Sequence, residues 1–191
     1  MKGQAMLDHS QPDDAVVASF KKAMRRLTST ISIIATHEGS ERFGMVATAV
    51  SSVSSDPPAI LVCINRSASI CEPLLRRRRF SVNLLRSDQS HLIPVFSGKV
   101  PSRERFAYGM WDERHALPFL AGAQANLFCD VDGQFAYGSH EVVVGRVRAA
   151  SAADAVSPLL WQDGMPAGAC ALPELRAPAH GIQEAGLATP A

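Results

Sequence analysis

Gly44-Met45-Val46-Ala47-Thr48-Ala49-Val50-Ser51-Ser52-Val53-Ser54 is followed by Asp56-Pro57-Pro58 and the apolar run Ala59 to Ile64. Small hydroxyl residues alternate there with Ala and Val, which reads as two strands joined by the Pro-Pro turn. Thr48, Ser51, Ser52 and Ser54 bring many short donors and little bulk. That density of hydroxyls and backbone N–H groups suits a flat, phosphate-bearing ligand lying against a sheet edge. A plain edge strand with its polar face in water has the same composition. The residues downstream separate the two readings.

Those residues are Asn65-Arg66-Ser67-Ala68-Ser69-Ile70-Cys71-Glu72. Ser69-x-x-Glu72 fits a capping box, and the spacing predicts a helix through Leu74, Leu75 and the arginines. A helix start presents free N–H groups and partial positive charge, with Asn65, Arg66 and Ser67 at its mouth. A hydroxyl-rich strand beside such a start makes a phosphate pocket.

Upstream, Val16, Phe20, Ala23, Met24 and Leu27 recur at helical spacing over Asp14 to Leu27, which predicts an amphipathic helix lying on a sheet. Ile31 to Thr36 reads as a strand and Glu38 to Arg42 as its turn. Downstream, Phe80 to Leu85 is a strand, and Gln89 to Phe96 a short helix limited by Pro94. Ala125 to Val131 and Glu141 to Ala149 alternate, giving two strands joined near Asp132-Gly133. Many short strands with a few flanking α-helices predict a mainly β protein, a closed or split β-barrel. The domain is expected over residues 12–170, with the Ala-, Pro- and Gly-rich 171–191 as a tail.

The chain of 191 residues is 47% hydrophobic and 19% charged, which is the balance of a folded domain with a sizeable core. A net charge of +1 makes no electrostatic case for nucleic acid or an anionic membrane. No apolar stretch is long enough to cross a bilayer and no signal peptide is apparent, so the expected compartment is the cytoplasm. The four cysteines form no Cys-x-x-Cys, and the six histidines are scattered, so neither a disulfide framework nor a metal site is expected. Cys63 and Cys129 fall in apolar strand runs, as small core residues do.

The opening stretch through Ser69, then Arg79 to Leu85, Phe96-Ser97-Gly98-Lys99, Glu104-Arg105-Phe106-Ala107, Trp111 and Gly138-Ser139-His140, resembles the short-chain flavin reductases. These are the small reductase components of two-component flavin-dependent monooxygenases acting on phenols, chlorophenols and hydroxyphenylacetate. The resemblance runs in order from about Val16 to Met165. It implies a flavin reductase-like split β-barrel, a homodimer, FAD or FMN as flavin, NADH or NADPH as hydride donor, and a partner oxygenase receiving reduced flavin. The chlorophenol-type likeness favours FAD.

On that resemblance the cofactor-binding candidates are Ala47, Thr48, Ala49, Val50, Ser51, Ser52, Asn65, Arg66, Ser67 and Ser69, with Ser97, Gly98, Lys99, His140 and Trp161. Ser97-Gly98-Lys99 is no P-loop, lacking the upstream glycine and the Ser/Thr after lysine. In the resembled family this loop approaches the distal half of the flavin, so Lys99 meets a phosphate or simply solvent. The family pattern at His140 is Gly-Asp-His, its histidine touching the nicotinamide nucleotide; Ser139 here replaces the acid. Trp161 packs on a ring system or in the core, while Trp111 reads as structural. Arg76 to Arg79 reads as a solvated helix end or as a lure for anions. No Gly-x-Gly-x-x-Gly, nucleophile–base pair or carboxylate pair is present, so no catalytic side chain is expected. Hydride passage from nicotinamide C4 to flavin N5 needs only two rings stacked at about 3–3.5 Å. A flavin-binding oxidase or metal-complex reductase on the same barrel, and a non-catalytic flavin or haem module, are the alternatives.

Overall fold

The structure, a computed structural model, describes residues 13–172. In chain order the elements are α1 (Asp14–Met24), β1 (Ser29–Thr30), β2 (Ser32–Glu38), β3 (Glu41–Ala47), β4 (Val50–Ser55) and β5 (Pro58–Asn65). Next come α2 (Cys71–Arg77), β6 (Arg79–Leu84) and α3 (Leu92–Pro94), which widens into a π turn over Val95–Lys99. A 3₁₀ turn (Ser102–Ala107), β7 (Trp111–Arg114), β8 (Leu117–Leu120), β9 (Ala125–Tyr137), β10 (His140–Ala152), β11 (Leu159–Gln162) and β12 (Met165–Gly168) complete the fold. It is mainly β, as the alternating runs predict. Residues 173–191 of the expected tail, and residue 12, lie outside the described residues.

One sheet dominates, with strand order β3-β2-β6-β9-β10-β5-β4. Its two edge strands, β3 and β4, are joined by Thr48 and Ala49 alone. Three Cα steps span at most about 11 Å, whereas the edges of a flat seven-stranded sheet would stand roughly 29 Å apart. The sheet therefore curls until its edges almost meet, and Cys63 N–H of β5 donates to Ala49 O at 3.1 Å, carrying the β4–β5 ladder up to the crossing. Strand alternation then feeds two cores. Ile34, Val62, Ile64, Phe80, Val82 and Val143 fill the inside of the curl. Ile31, Ile33, Leu85, Leu92, Phe96 and Leu159 pack the second core, between the sheet and the α3 segment.

Four local expectations differ from what is found. Helix α1 does not lie on the sheet: none of its residues is buried, and Val16, Phe20, Met24 and Leu27 are exposed. The Ser69–Glu72 capping box does not form. Ile70 is the N-cap of α2 without a side-chain bond, Ser69 Oγ donates to Ser102 Oγ at 3.1 Å, and Glu72 accepts from Arg76. Pro94 does not limit its helix, because it occupies the first turn, where no N–H donor is needed. Asp132-Gly133 is not a turn: β9 runs on to Tyr137, the reversal falls at Gly138-Ser139, and a register shift between Val144 and Gly145 marks a bulge at Asp132.

Three of the arginines in the Arg76–Arg79 run are occupied structurally. Arg76 forks onto Glu38 at 2.8 and 2.9 Å, Arg78 ends α2 in the left-handed region at φ 54° and donates to Val131 O, and Arg79 pairs with Asp130.

Candidate functional site

Where the β3–β4 crossing meets the α3 segment, a trough opens through three linked cavities. The first, of about 600 Å³, lies between Met45 and Val46 of β3, the loop Ser67-Ala68-Ser69, and Phe96, Ser97, Gly98, Ser102 and Arg105. A narrower neck of about 300 Å³ shares Val46 and Ser97 with it and adds Ile31, Thr48, Ile93 and Trp161. Beyond the neck, Thr48 and Trp161 pass into a third cavity of about 550 Å³, walled by Phe20, Met24 and Leu27 and by Asp163 and Gly164. A separate hollow of about 700 Å³ joins the first at Ser67 and is bounded by Asn65, Arg66, Cys71, Glu72, Ser139 and Glu141.

Local chemistry explains the shape. Asn65 Oδ1 accepts both the backbone N–H (2.9 Å) and the hydroxyl (2.8 Å) of Ser67, folding the Asn65–Ser67 corner into an Asx turn. The Ser69–Ser102 hydroxyl contact ties that corner to the 3₁₀ turn across the cavity. Gly44 is required beneath: a Cβ there would stand 2.8 Å from Phe96 Cε1 and 3.1 Å from Phe106 Cζ. With no side chain at Gly44, Phe96 settles onto β3 and stacks edge-on with Phe106 at 5.4 Å and 89°, and Trp111 closes the cluster. Gly98, at φ 106°, supplies a positive-φ corner within the π segment and lines the cavity.

Of the residues expected at a site, Thr48, Ser67, Ser69, Ser97, Gly98 and Trp161 line the trough. Asn65 and Arg66 border the adjoining hollow, where Arg66 faces Glu141 at 3.7 Å. His140 begins β10, opposite Asn65 of β5 and Tyr137 of β9, and its Nδ1 lies 2.9 Å from Ser139 Oγ, so serine takes up the ring contact. The remaining expected residues lie elsewhere. Ala47 is core, Val50 packs against the same core, and Ala49 gives its carbonyl to Cys63 N–H at the end of the β4–β5 ladder. Ser51 and Ser52 sit exposed on edge strand β4, and Lys99 is exposed; none of the three lines the trough. Trp111 is structural, donating from Nε1 to Tyr108 O at 2.8 Å.

Ser102 and Arg105 were not singled out from sequence. Nothing in the spacing separates Arg105 from Arg103; only the 3₁₀ turn, which points one inward and leaves the other with Glu104 in solvent, distinguishes them. Burial pushes the Cys71 and Cys129 thiols up, Cys129 to about 12, so neither is a ready nucleophile. Among the described residues no group of three His, Cys, Asp or Glu is placed to hold a metal ion.

A trough of apolar side chains interspersed with hydroxyls, with no nucleophile–base pair among its lining residues, suits a protein that positions a flat amphipathic ligand rather than attacking one. Residues 24–169 match the family described as the flavin reductase like domain. The chain belongs to that family and is an oxidoreductase of the flavin reductase type. The reductase component of the FADH₂-dependent resorcinol hydroxylase of Rhizobium sp. (strain MTP-10005) is 40% identical over 154 residues, 78% of this chain and 86% of its own. The FMN reductase (NADH) RutF of Methylorubrum populi is 39% identical over 153 residues, 80% of this chain and 75% of its own. Among solved structures, the styrene monooxygenase flavin reductase of Pseudomonas putida S12 superposes with a TM-score of 0.72 at 26% identity, covering 82% of this chain and 99% of that one.

Proposed function

We propose that the protein is an NADH-dependent flavin reductase that takes FAD, and also FMN, as a diffusible substrate and passes the reduced flavin to a partner aromatic monooxygenase. The observation that carries this reading is the trough itself. Its neck offers the apolar surfaces of Ile31, Val46, Ile93 and Trp161 to a ring system, and its wide chamber offers the Ser102 hydroxyl and the Arg105 guanidinium, among four serines, to a phosphate-bearing tail. That pattern fits a flavin nucleotide from end to end. The bound pair of rings supplies the chemistry, hydride passing from nicotinamide C4 to flavin N5.

The chain's residues then bind, orient and exclude water. Thr48 and Ser97 stand at the two ends of the neck, Ser97 Oγ donating to Pro94 O at 3.4 Å, and their hydroxyl oxygens face the ring edge. Trp161 gives one face of the slot, and His140, held by Ser139, meets the nicotinamide nucleotide. Hydroxyls and one guanidinium, rather than a cage of charges, hold the flavin loosely enough to leave after reduction. The kinship with reductase components of two-component monooxygenases supports the hand-over. A cytoplasmic reaction, where NADH is supplied, belongs to the same reading. The working unit is a homodimer, a reading supported by the uncovered apolar face of α1 beside the trough.

The test is steady-state NADH oxidation with FAD and FMN compared, in parent protein and in His140→Ala. Turnover with added flavin, highest kcat/KM for FAD, and a raised NADH KM with unchanged flavin affinity in the variant are expected. Flat NADH absorbance with both flavins overturns the reading.

A further inference from the structure

Arg105 is the one charged residue on the wall of the 600 Å³ chamber. Its Nε donates to Val100 O at 3.0 Å and its Nη1 to Gly44 O at 2.8 Å, both neutral carbonyls. Those two bonds anchor the guanidinium while leaving Nη2 and the second Nη1 proton without a protein acceptor among the described residues. None of the ion pairs among the described residues includes Arg105; its neighbour Glu104 faces Arg103 instead. Half-burial of that unpaired charge pushes its pKa down, with no carboxylate opposing the shift.

The rest of the wall matches this charge. Ser69 donates its proton to Ser102 Oγ, which leaves the Ser102 proton to be given into the chamber. No acidic side chain lines the chamber, whereas the adjoining hollow carries Glu72 and Glu141, with Arg66 already paired to Glu141. An anion entering the chamber therefore meets Arg105 with no carboxylate competing for it there. Planar N–H groups anchored from behind, beside a free hydroxyl, match the spread oxygens of a phosphate ester. Exposed Lys99, outside the chamber, offers no such anchoring.

Resting on the flavin reductase reading above, we infer that Arg105 is a specificity-determining residue that binds the phosphate of the flavin nucleotide, so that the enzyme selects FMN and FAD over riboflavin.

Flavin fluorescence titrations without NADH test this for FMN, FAD and riboflavin, in parent and Arg105→Gln. The glutamine variant should weaken FMN and FAD on the order of ten- to a hundredfold and move riboflavin less than twofold. In the parent alone, inorganic phosphate should compete with FMN and not with riboflavin, a readout that does not depend on the variant folding. Equal weakening of all three flavins makes Arg105 a strut for Gly44 and Val100 and overturns the inference, as does phosphate competing with both ligands or with neither. A variant that instead raises only the NADH KM, with riboflavin as acceptor, assigns the phosphate to the dinucleotide and likewise overturns it. Because binding is read without NADH, a parent that discriminates through Arg105 yet oxidises no NADH overturns only the reductase reading.

Discussion

A single buried thiol shows how far a residue's chemistry is set by its place in the fold. Cys129 lies in β9, 1% exposed, opposite Phe80 of β6 and Val147 of β10. Burial first, and the Asp130 carboxylate second, raise its pKa from 9.0 to about 12. The folded chain thus holds this proton over a pH range in which the unfolded chain has released it. Stability from this source is full below about pH 9 and falls as pH rises towards about 12, by up to about 1.4 kcal/mol per unit. Urea unfolding at pH 8 and pH 10.5 should show that decline in the parent and a shallower one in Cys129→Ala, measured against each protein's own value at pH 8. Identical slopes would mean that other groups govern alkaline unfolding. The core role of Cys129 was legible from alternation alone, but the charge environment was not, because Asp130 is a neighbour whose other contacts, Arg79 and Arg148, come from distant strands.

At the scale of elements, apolar runs and helical spacing located β2, β5, β6 and α1 to within a few residues, since the central strands β2 and β6 are buried on both faces, β5 buries alternate residues and the helix keeps one apolar stripe. What misled were signals whose meaning depends on the partner strand. Asp132-Gly133 reads as a turn, yet with β10 alongside, the same residues form a bulge that bends a long hairpin. Ser69 has the chemistry of an N-cap, but Ser102 recruits its hydroxyl across the chamber. The β7–β8 hairpin is similarly fixed by a polar knot that no local pattern announces. Buried Asn83 donates to Ile33 O (2.9 Å) and Ser81 Oγ (3.1 Å) and accepts from Leu120 N–H (2.9 Å) and Asn126 Nδ2 (2.8 Å). Replacing it with the near-isosteric Leu strands several buried groups, each worth about 1–3 kcal/mol when left unpaired. Asn83→Leu should lower the free energy of unfolding by at least about 2 kcal/mol in urea titration; a loss below half that would show the knot relaxing onto water.

For the whole molecule, α1 raises the largest demand. It has eleven residues and no buried side chain, while isolated helices shorter than about 12–15 residues are marginal in water. Asp13 caps it and Lys21 and Lys22 suit its C-terminal dipole, but such terms contribute only about 1 kcal/mol each. Its stripe of Val16, Phe20, Met24 and Leu27, with Phe20 62% exposed, borders the third cavity of the trough. A second copy laid over that stripe would bury the helix and roof the trough at the same time. The sequence displayed the stripe plainly; what covers it was hidden, because one chain's periodicity cannot say whether the apolar face meets its own sheet or another's. Phe20→Ser with Met24→Ser tests the arrangement. Each lost side chain removes roughly 1.5–3 kcal/mol of burial, and two-fold symmetry counts each twice. The dimer dissociation constant should therefore rise at least about ten-thousandfold, read by sedimentation velocity over a micromolar concentration series, with the far-ultraviolet β signal retained. FAD affinity should fall alongside, since the roof over the neck departs with the partner. A parent that sediments as a monomer, or a double variant that dimerises as tightly as the parent, would place the interface elsewhere and leave α1 to be covered by something other than a second copy.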